Sequence, residues 1–188
     1  MNLRKLHQIG VVGVLWAIVV CAEADTVTTR SRLTYDDVRV IGLRDFALVG
    51  MAAGRETRWP LSEIRRLNLT RREAFNRAED LIAAGEWPEA VVAYERAARG
   101  AREPWLRQLC RIRRMQALEG AGRVGEASVA WLEILGEEVS EEALALRPSA
   151  EGASVSPENE RAIERLQSRL ARPTTAPGVS RGLLELLI

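Results

Sequence analysis

The sequence predicts an α+β protein in which a small antiparallel β module precedes a group of helices. Between residues 25 and 69 the chain has short runs rich in β-branched and aromatic residues, separated by turn-forming residues. From residue 70 onwards apolar residues recur with helical spacing, and one residue pattern occurs twice at a constant separation. A chain of 188 residues, 47% of them hydrophobic, is long enough to give both parts a core.

Residues 1–24 have the three parts of a secretory signal peptide. A positively charged start precedes an apolar run over residues 9–21, and an A-x-A cleavage site ends at Ala24. The apolar run is shorter than the roughly 20 residues that a membrane-spanning helix needs. We therefore expect cleavage after Ala24, a periplasmic or secreted product, and only transient membrane contact through the signal. A retained anchor is the alternative.

Composition limits the chemistry of the protein. The only histidine, His7, and the only lysine, Lys5, lie before the predicted cleavage site, which excludes Ser-His-Asp catalysis and histidine-containing zinc sites from the mature chain. The net charge of +1 provides no field for nucleic acid. Asp36 and Asp37 are adjacent, so a strand would project them to opposite faces. We predict a non-enzyme with no cofactor, no metal and no nucleic-acid partner.

Four runs in the β module have strand character, at residues 26–30, 37–43, 45–51 and 56–61, with Gly54-Arg55 as the best turn. Residues 62–69 fit a last strand or a short turn of helix. These runs predict three to five short antiparallel strands that make a small sheet or barrel, and in rhythm and length this part resembles the small SH3-like or Sm-like barrels. Trp59 either forms an aromatic platform for a peptide or glycan, or fills the barrel and packs on the helices.

The helical part has a clear start and a clear first turn. Thr70 and Glu73 have the spacing of a capping box, in which each side chain binds the backbone of the other residue. Gly85 is expected to end the first helix, and Pro88 suits the first turn of the next helix.

Four residue pairs share a separation of 37 residues: Gly85 with Gly122, Ala90 with Ala127, Tyr94 with Trp131, and Ala97 with Ile134. The pattern G-x-x-x-x-A-x-x-x-[FY]-x-x-A, complete in the first copy, resembles the second helix of a tetratricopeptide repeat. The resemblance covers residues 71–104 and, less completely, 108–136, and it implies two helix-turn-helix units. It also implies that the following residues pack these helices together: Ala78, Leu81, Gly85, Ala90, Tyr94, Ala97, Gly122, Ala127 and Trp131.

In the tetratricopeptide family the first helix of each unit lines a concave binding surface. Carried over to this chain, the groove residues are Phe75, Asn76, Glu79, Ile82, Leu109, Ile112, Gln116 and Glu119. Apolar residues in such a groove need a cover, either a partner helix or peptide, or the chain's own apolar end at residues 180–188. The lysine-containing carboxylate clamp of some family members is excluded because the mature chain has no lysine. Because two units are few for an array, the β module and the C-terminal helices are expected to close its ends.

Arg107, Arg111 and Arg114 are spaced to lie on one helix face. They form either a site for an anion or an acidic peptide, or a solvated face paired with glutamates at 133, 137 or 138. Arg111 and Arg114 also fall at positions where the tetratricopeptide family has packing residues. Cys110, the only cysteine after the signal, is expected to be a small buried hydrophobe, and a reactive or intermolecular thiol is the alternative.

The rest of the chain divides into a linker and a helical cap. Residues 137–156 are acidic and then rich in Pro, Ser and Gly, which predicts one short helix and a linker; residues 157–188 form a C-terminal cap that begins with a helix at Pro157. The end of this cap either packs on the repeat pair, forms a homodimer, or is presented to a peptide-binding domain.

We expect an exported, non-catalytic scaffold or adaptor of the cell envelope, with the β module at residues 25–69 and the repeat pair at 70–136. Its partner would be a protein or peptide. The alternative is a structural or ligand-binding module in which the β part carries the site, while the helices support it or dimerise.

Overall fold

A computed structural model describes residues 24–137, 140–149 and 157–170. It confirms the α+β class, with an antiparallel sheet followed by helices. The strands are β1 (Asp25–Thr29), β2 (Thr34–Arg44), β3 (Ala47–Ala52), β4 (Arg55–Pro60) and β5 (Ile64–Asn68). The helices are α1 (Glu73–Ala84), α2 (Trp87–Gly100), α3 (Pro104–Gly120), α4 (Val124–Glu137), α5 (Glu141–Leu144) and α6 (Pro157–Leu170).

The sheet has the strand order β4-β3-β2-β1-β5, and each neighbouring pair is antiparallel. The long strand β2 pairs with β1 through its first half and with β3 through its second half. The stretch predicted to be either a strand or a turn of helix contains both, because the short 3₁₀ helix Leu61–Glu63 leads directly into β5.

The turn between β3 and β4 lies one residue earlier than predicted. Ala52 pairs with Arg55, so the two loop residues are Ala53 and Gly54, with φ angles of 48° and 75°. Positive φ at both positions is the requirement of a type I′ hairpin turn, which matches the twist of the strands.

Trp59 is inside the β module, not on its surface. Its side chain is 3% exposed, and its ring meets the Tyr35 ring edge-on at a centroid distance of 5.5 Å. Val27, Val38 and Leu48 are buried in the same core. Of the two alternatives for Trp59, the structure therefore favours the one in which this residue fills the interior, and the buried ring is not available as an aromatic platform.

The first four helices form two helix-turn-helix pairs, α1–α2 and α3–α4, whose turns use the same backbone hydrogen bonds. Gly85 and Gly122 have φ angles of 79° and 73°. The next amide donates to Leu81 O in the first turn and to Leu118 O in the second, at 2.9 Å in both. The predicted packing positions are buried at Ala78, Ala90, Tyr94, Ala97, Ala127 and Trp131, and Leu81 packs against the core while partly exposed.

The predicted capping box at the start of α1 does not form. No side chain caps the helix, and Arg71 has a positive φ of 59°. The Thr70 amide instead donates to the Asp25 carboxylate over 2.6 Å, while the other oxygen of Asp25 accepts from the Val40 amide at 2.7 Å. The entry to α1 is thus fixed by the β module and not by a local cap.

The C-terminal helices cover the second helix pair. The Trp131 indole donates to Ala143 O in α5 over 2.8 Å. Helix α6 packs on α4, where the Gly125 amide donates to Asn159 Oδ1 and Asn159 Nδ2 donates to Gly122 O. Residues 180–188, the predicted cover of the groove, lie outside the described residues. Among the described residues, no helix has the length and apolar character needed to cross a membrane.

Candidate functional site

Strand β5 lies at the edge of the sheet, and the helices bind the backbone of its free edge. The Leu67 amide donates to Glu79 Oε2 at 2.9 Å. Asn76 accepts from the Leu69 amide and donates to the Leu69 carbonyl, each at 2.8 Å. Side chains of α1 therefore satisfy backbone groups that another strand would otherwise pair with.

Behind this edge lies a buried polar cluster formed by Glu79, Tyr94 and Arg113. The Tyr94 hydroxyl donates to Glu79 Oε1 at 2.6 Å, and Arg113 Nη2 donates to Glu79 Oε2 at 3.0 Å. Glu79 is 2% exposed and Arg113 is 7% exposed. Arg113 also donates to Gln116 Oε1 at 2.9 Å and to Ile64 O of β5 at 3.4 Å. The cluster thus links α1, α2 and α3 to the β module.

The cluster changes the acidity of its neighbours. Burial, and after it the negative charge of Glu79, raises the pKa of Tyr94 far above its ordinary value. The same two causes raise the pKa of the buried Cys110 thiol to about 12. Both groups are therefore protonated at neutral pH, and Tyr94 remains a hydrogen-bond donor to the carboxylate.

A cavity of about 740 Å³ opens beside this cluster, between strands β1 and β5 on one side and helices α1–α3 on the other. Its lining combines four arginines, two glutamates, a tryptophan and smaller groups: Thr28, Arg30, Ile64, Arg65, Arg66, Glu79, Ile82, Ala83, Trp87, Tyr94, Arg113, Gln116, Glu119 and Gly120. The volume is within the range of ligand-binding pockets. Residues of both the β module and the helical part line this cavity, which is the candidate site.

A bulge in β5 explains why three consecutive residues line one cavity. Arg66 pairs with Thr28 and Ile64 pairs with Thr29, so Arg65 is an extra residue in the ladder. Successive side chains of a regular strand point to opposite faces, but a bulge redirects them. Ile64, Arg65 and Arg66 consequently all reach the cavity.

Only part of the predicted groove is accessible. Phe75, Leu109 and Ile112 are at most 1% exposed and belong to the hydrophobic core, so they are not available to a partner. The Asn76 side chain is used by the backbone of Leu69, the residue directly after β5. The groove residues that do line the cavity are Glu79, Ile82, Gln116 and Glu119. The apolar centre of the predicted groove is therefore covered by the protein's own elements, because the helices pack over it and β5 lies along α1.

The three arginines of the predicted anion patch have separate partners. Arg107 donates to the carbonyls of Ala101 and Arg102. Arg111 forms two hydrogen bonds with Glu137, and Arg114 binds Glu95 at 2.8 Å. These guanidinium groups do not converge on one site, which favours the paired alternative.

Sequence reasoning missed the buried role of Arg113 and the arginines of the β module. One signal was present: the 37-residue shift that aligns Gly85 with Gly122 also aligns Asn76 with Arg113. The second helix pair thus has Arg113 where the first helix pair has the amide side chain of Asn76. A positively charged side chain among packing residues needs an acidic partner nearby. The bulge at Arg65 has no such signal.

Among the described residues, no group of three histidine, cysteine, aspartate or glutamate side chains could hold a metal ion. No family model, no curated protein and no solved structure matches this chain.

Proposed function

We propose that this protein is an exported, non-catalytic interaction module, a tetratricopeptide-like scaffold joined to a β module, and that it binds a protein partner at the cavity between the two parts. One observation carries the proposal: residues of β1, β5, α1, α2 and α3 line a single cavity beside a buried polar cluster. A partner bound there contacts both modules at once.

The contacts of β5 favour this cavity over an open helical groove. Glu79 binds the β5 backbone at Leu67, Asn76 binds the backbone of Leu69 directly after β5, and the apolar centre of the predicted groove is buried. The cavity is a concave surface whose lining includes Ile82, Ala83 and Trp87, and a partner bound there can reach them. Because Arg30, Arg65 and Arg66 belong to the β module, the proposal also includes the alternative in which the β part carries essential site residues.

Site-specific photocrosslinking tests the proposal. A benzoylphenylalanine residue at Ala83, an exposed position in the cavity lining, is compared with the same residue at Val92, an exposed position of α2 outside the lining. With a cell-envelope extract, we expect specific adducts from position 83. The crosslinked partner protein is then identified and purified, and its affinity for the wild-type protein is measured. A product of twice the chain mass would identify a second copy as the partner. Adducts equal at both positions, or none at position 83, would contradict the proposal.

Point variants are preferable to removing the β module. Deleting residues 25–69 would leave Glu79 and Arg113 without the backbone groups of Leu67 and Ile64. Loss of binding after that deletion would therefore not distinguish a missing site from an unfolded helical part.

A further inference from the structure

We propose that the cavity recognises an acidic side chain on an extended, partly apolar peptide segment, and that Arg30 and Arg65 bind its carboxylate. The inference rests on the proposed function and names the chemistry of the partner. Its starting point is the balance of charged groups that line the cavity.

Of the four arginines in the lining, two already have partners. Arg113 is paired with Glu79, and Arg66 binds Asp80 at 2.5 Å. Within the part of the chain that the structure describes, the guanidinium groups of Arg30 and Arg65 make no hydrogen bond and no ion pair. Two unpaired positive groups therefore remain beside a cavity, and planar guanidinium groups match the geometry of a carboxylate.

The backbone places these two arginines next to each other. Arg30 follows β1, and its amide donates to Glu63 O at 2.7 Å, immediately before β5. Arg65 is the bulged residue of β5, two residues after Glu63. Both side chains extend from neighbouring, hydrogen-bonded backbone segments, so one carboxylate can contact both.

The opposite side of the cavity offers apolar contacts. Ile82 and Trp87 are half-buried and line the cavity, and a Cβ atom at Gly120 would lie only 2.5 Å from the Trp87 ring. The indole therefore packs directly on the backbone at the end of α3 and is held in place. A ligand that satisfies both sides carries an acidic group and an apolar group a few ångströms apart.

Glu119 restricts the position of the acidic group. Its carboxylate is in the same lining, where it accepts a hydrogen bond from the Ser149 amide at 2.7 Å. A second negative charge is repelled near Glu119 and attracted near Arg30 and Arg65. The orientation of the peptide is thereby fixed, with its acid on the β-module side.

Fluorescence anisotropy with three labelled peptides tests the inference. Each peptide has about six residues, which span about 20 Å when extended. One alternates Leu and Glu and has an amidated end; the second has Gln in place of Glu and an amidated end; the third has Gln and a free terminal carboxylate. We expect saturable binding of the Glu peptide and at least about tenfold weaker binding of both Gln peptides.

Variants of the protein then locate the contact. Arg30→Gln and Arg65→Gln should each weaken binding of the Glu peptide by about tenfold, a loss typical of one charged contact. Trp87→Ala should weaken binding of all peptides alike. Arg99→Gln, which removes an exposed charge of α2 outside the lining, is the matched control and should change the affinity less than about twofold.

Each contrary outcome has a distinct meaning. If the third peptide binds as tightly as the Glu peptide, the arginines bind the carboxylate at a chain terminus. That result would overturn the inference of an acidic side chain. The inference would also be overturned if binding of the Glu peptide did not saturate, or if the Arg65→Gln variant bound that peptide as tightly as the Arg99→Gln control does. If position 83 still forms adducts in the crosslinking experiment, the proposed function stands without this ligand chemistry; if position 83 forms none, the function itself fails.

Discussion

Arg113 Nε lies 2.9 Å from Glu79 Oε1, and the two side chains are 8% and 2% exposed. This pair connects the two first helices of the helical pairs, and the same two residues bind the backbone of β5. An ion pair withdrawn from water has to be satisfied by further hydrogen bonds, and here the donors and acceptors come from Tyr94, Gln116 and the strand.

Removing either charge should strongly destabilise the protein. Glu79→Gln leaves the arginine charge buried without its partner, and Arg113→Met does the same to the carboxylate, so each should cost about 3–5 kcal/mol of unfolding free energy. Urea denaturation measures both. The Glu79→Gln/Arg113→Met double variant should cost less than the sum of the single variants, because no buried charge is left alone. Additive costs would show that the two side chains do not interact.

Tyr94 should make stability depend on alkaline pH. Its pKa in the folded protein is raised above the ordinary value of 10.0. The unfolded chain therefore loses the phenol proton first, and the contribution of this group is complete below pH 10 and declines as the pH rises further. Tyr94→Phe should be less stable than the wild type by about 1–2 kcal/mol at pH 7, because a hydrogen bond to a charged group is lost.

Unfolding curves of both proteins between pH 7 and about pH 11 check this sign, since one titrating group changes stability by up to about 1.4 kcal/mol per pH unit. The difference between them should shrink above pH 10. Cys110 is present in both proteins, so its contribution to the pH dependence cancels. A difference that stays constant with pH would contradict the buried, protonated phenol.

Gly125 should tolerate no side chain, because helix α6 passes too close. A Cβ atom there would lie 2.8 Å from the Ala162 Cβ and 2.9 Å from the Asn159 carbonyl oxygen. Gly125→Ala is expected to lower the unfolding free energy by about 1–3 kcal/mol. Gly100→Ala is the matched control, since nothing lies within 4 Å of its Cβ position. The control should be neutral or slightly stabilising, and equal effects at both sites would exclude the close packing of α6 on α4.

Cys110 should be inert in the folded protein. The thiol is buried, and its pKa is raised to about 12, so the reactive thiolate is scarce at pH 8. Labelling with a thiol-specific reagent should be slow in buffer and rapid in concentrated denaturant. Rapid labelling of the native protein would place the thiol at the surface and contradict the packing of α3.

Local patterns made much of the fold predictable. The strands follow from β-branched runs, and the two helix turns follow from Gly85 and Gly122, since the left-handed backbone there favours glycine. The capping box failed because Thr70 is bound by Asp25, a residue 45 positions earlier in the chain. A local motif was replaced by a contact that depends on the packing of the two modules.

The candidate site was less predictable because it depends on distant residues. It depends on the pair formed by Glu79 and Arg113, which are 34 positions apart, and two of its arginines, Arg65 and Arg66, come from a bulged strand. The tetratricopeptide resemblance placed Ile82 and Gln116 in one groove, and both residues line the cavity. It could not show that the other side would be strand β5.

Hydrogen exchange at the Leu67 and Leu69 amides tests the central claim most directly, namely that the helices hold the free edge of β5. In the described part of the chain, the Leu67 amide of β5 donates to Glu79, and the Leu69 amide directly after β5 donates to Asn76. We predict that they exchange as slowly as the amides between β1 and β5, and that Asn76→Ala accelerates exchange mainly at Leu69. Rapid exchange of both amides in the wild-type protein would contradict the account, because an exposed strand edge lacks such protection.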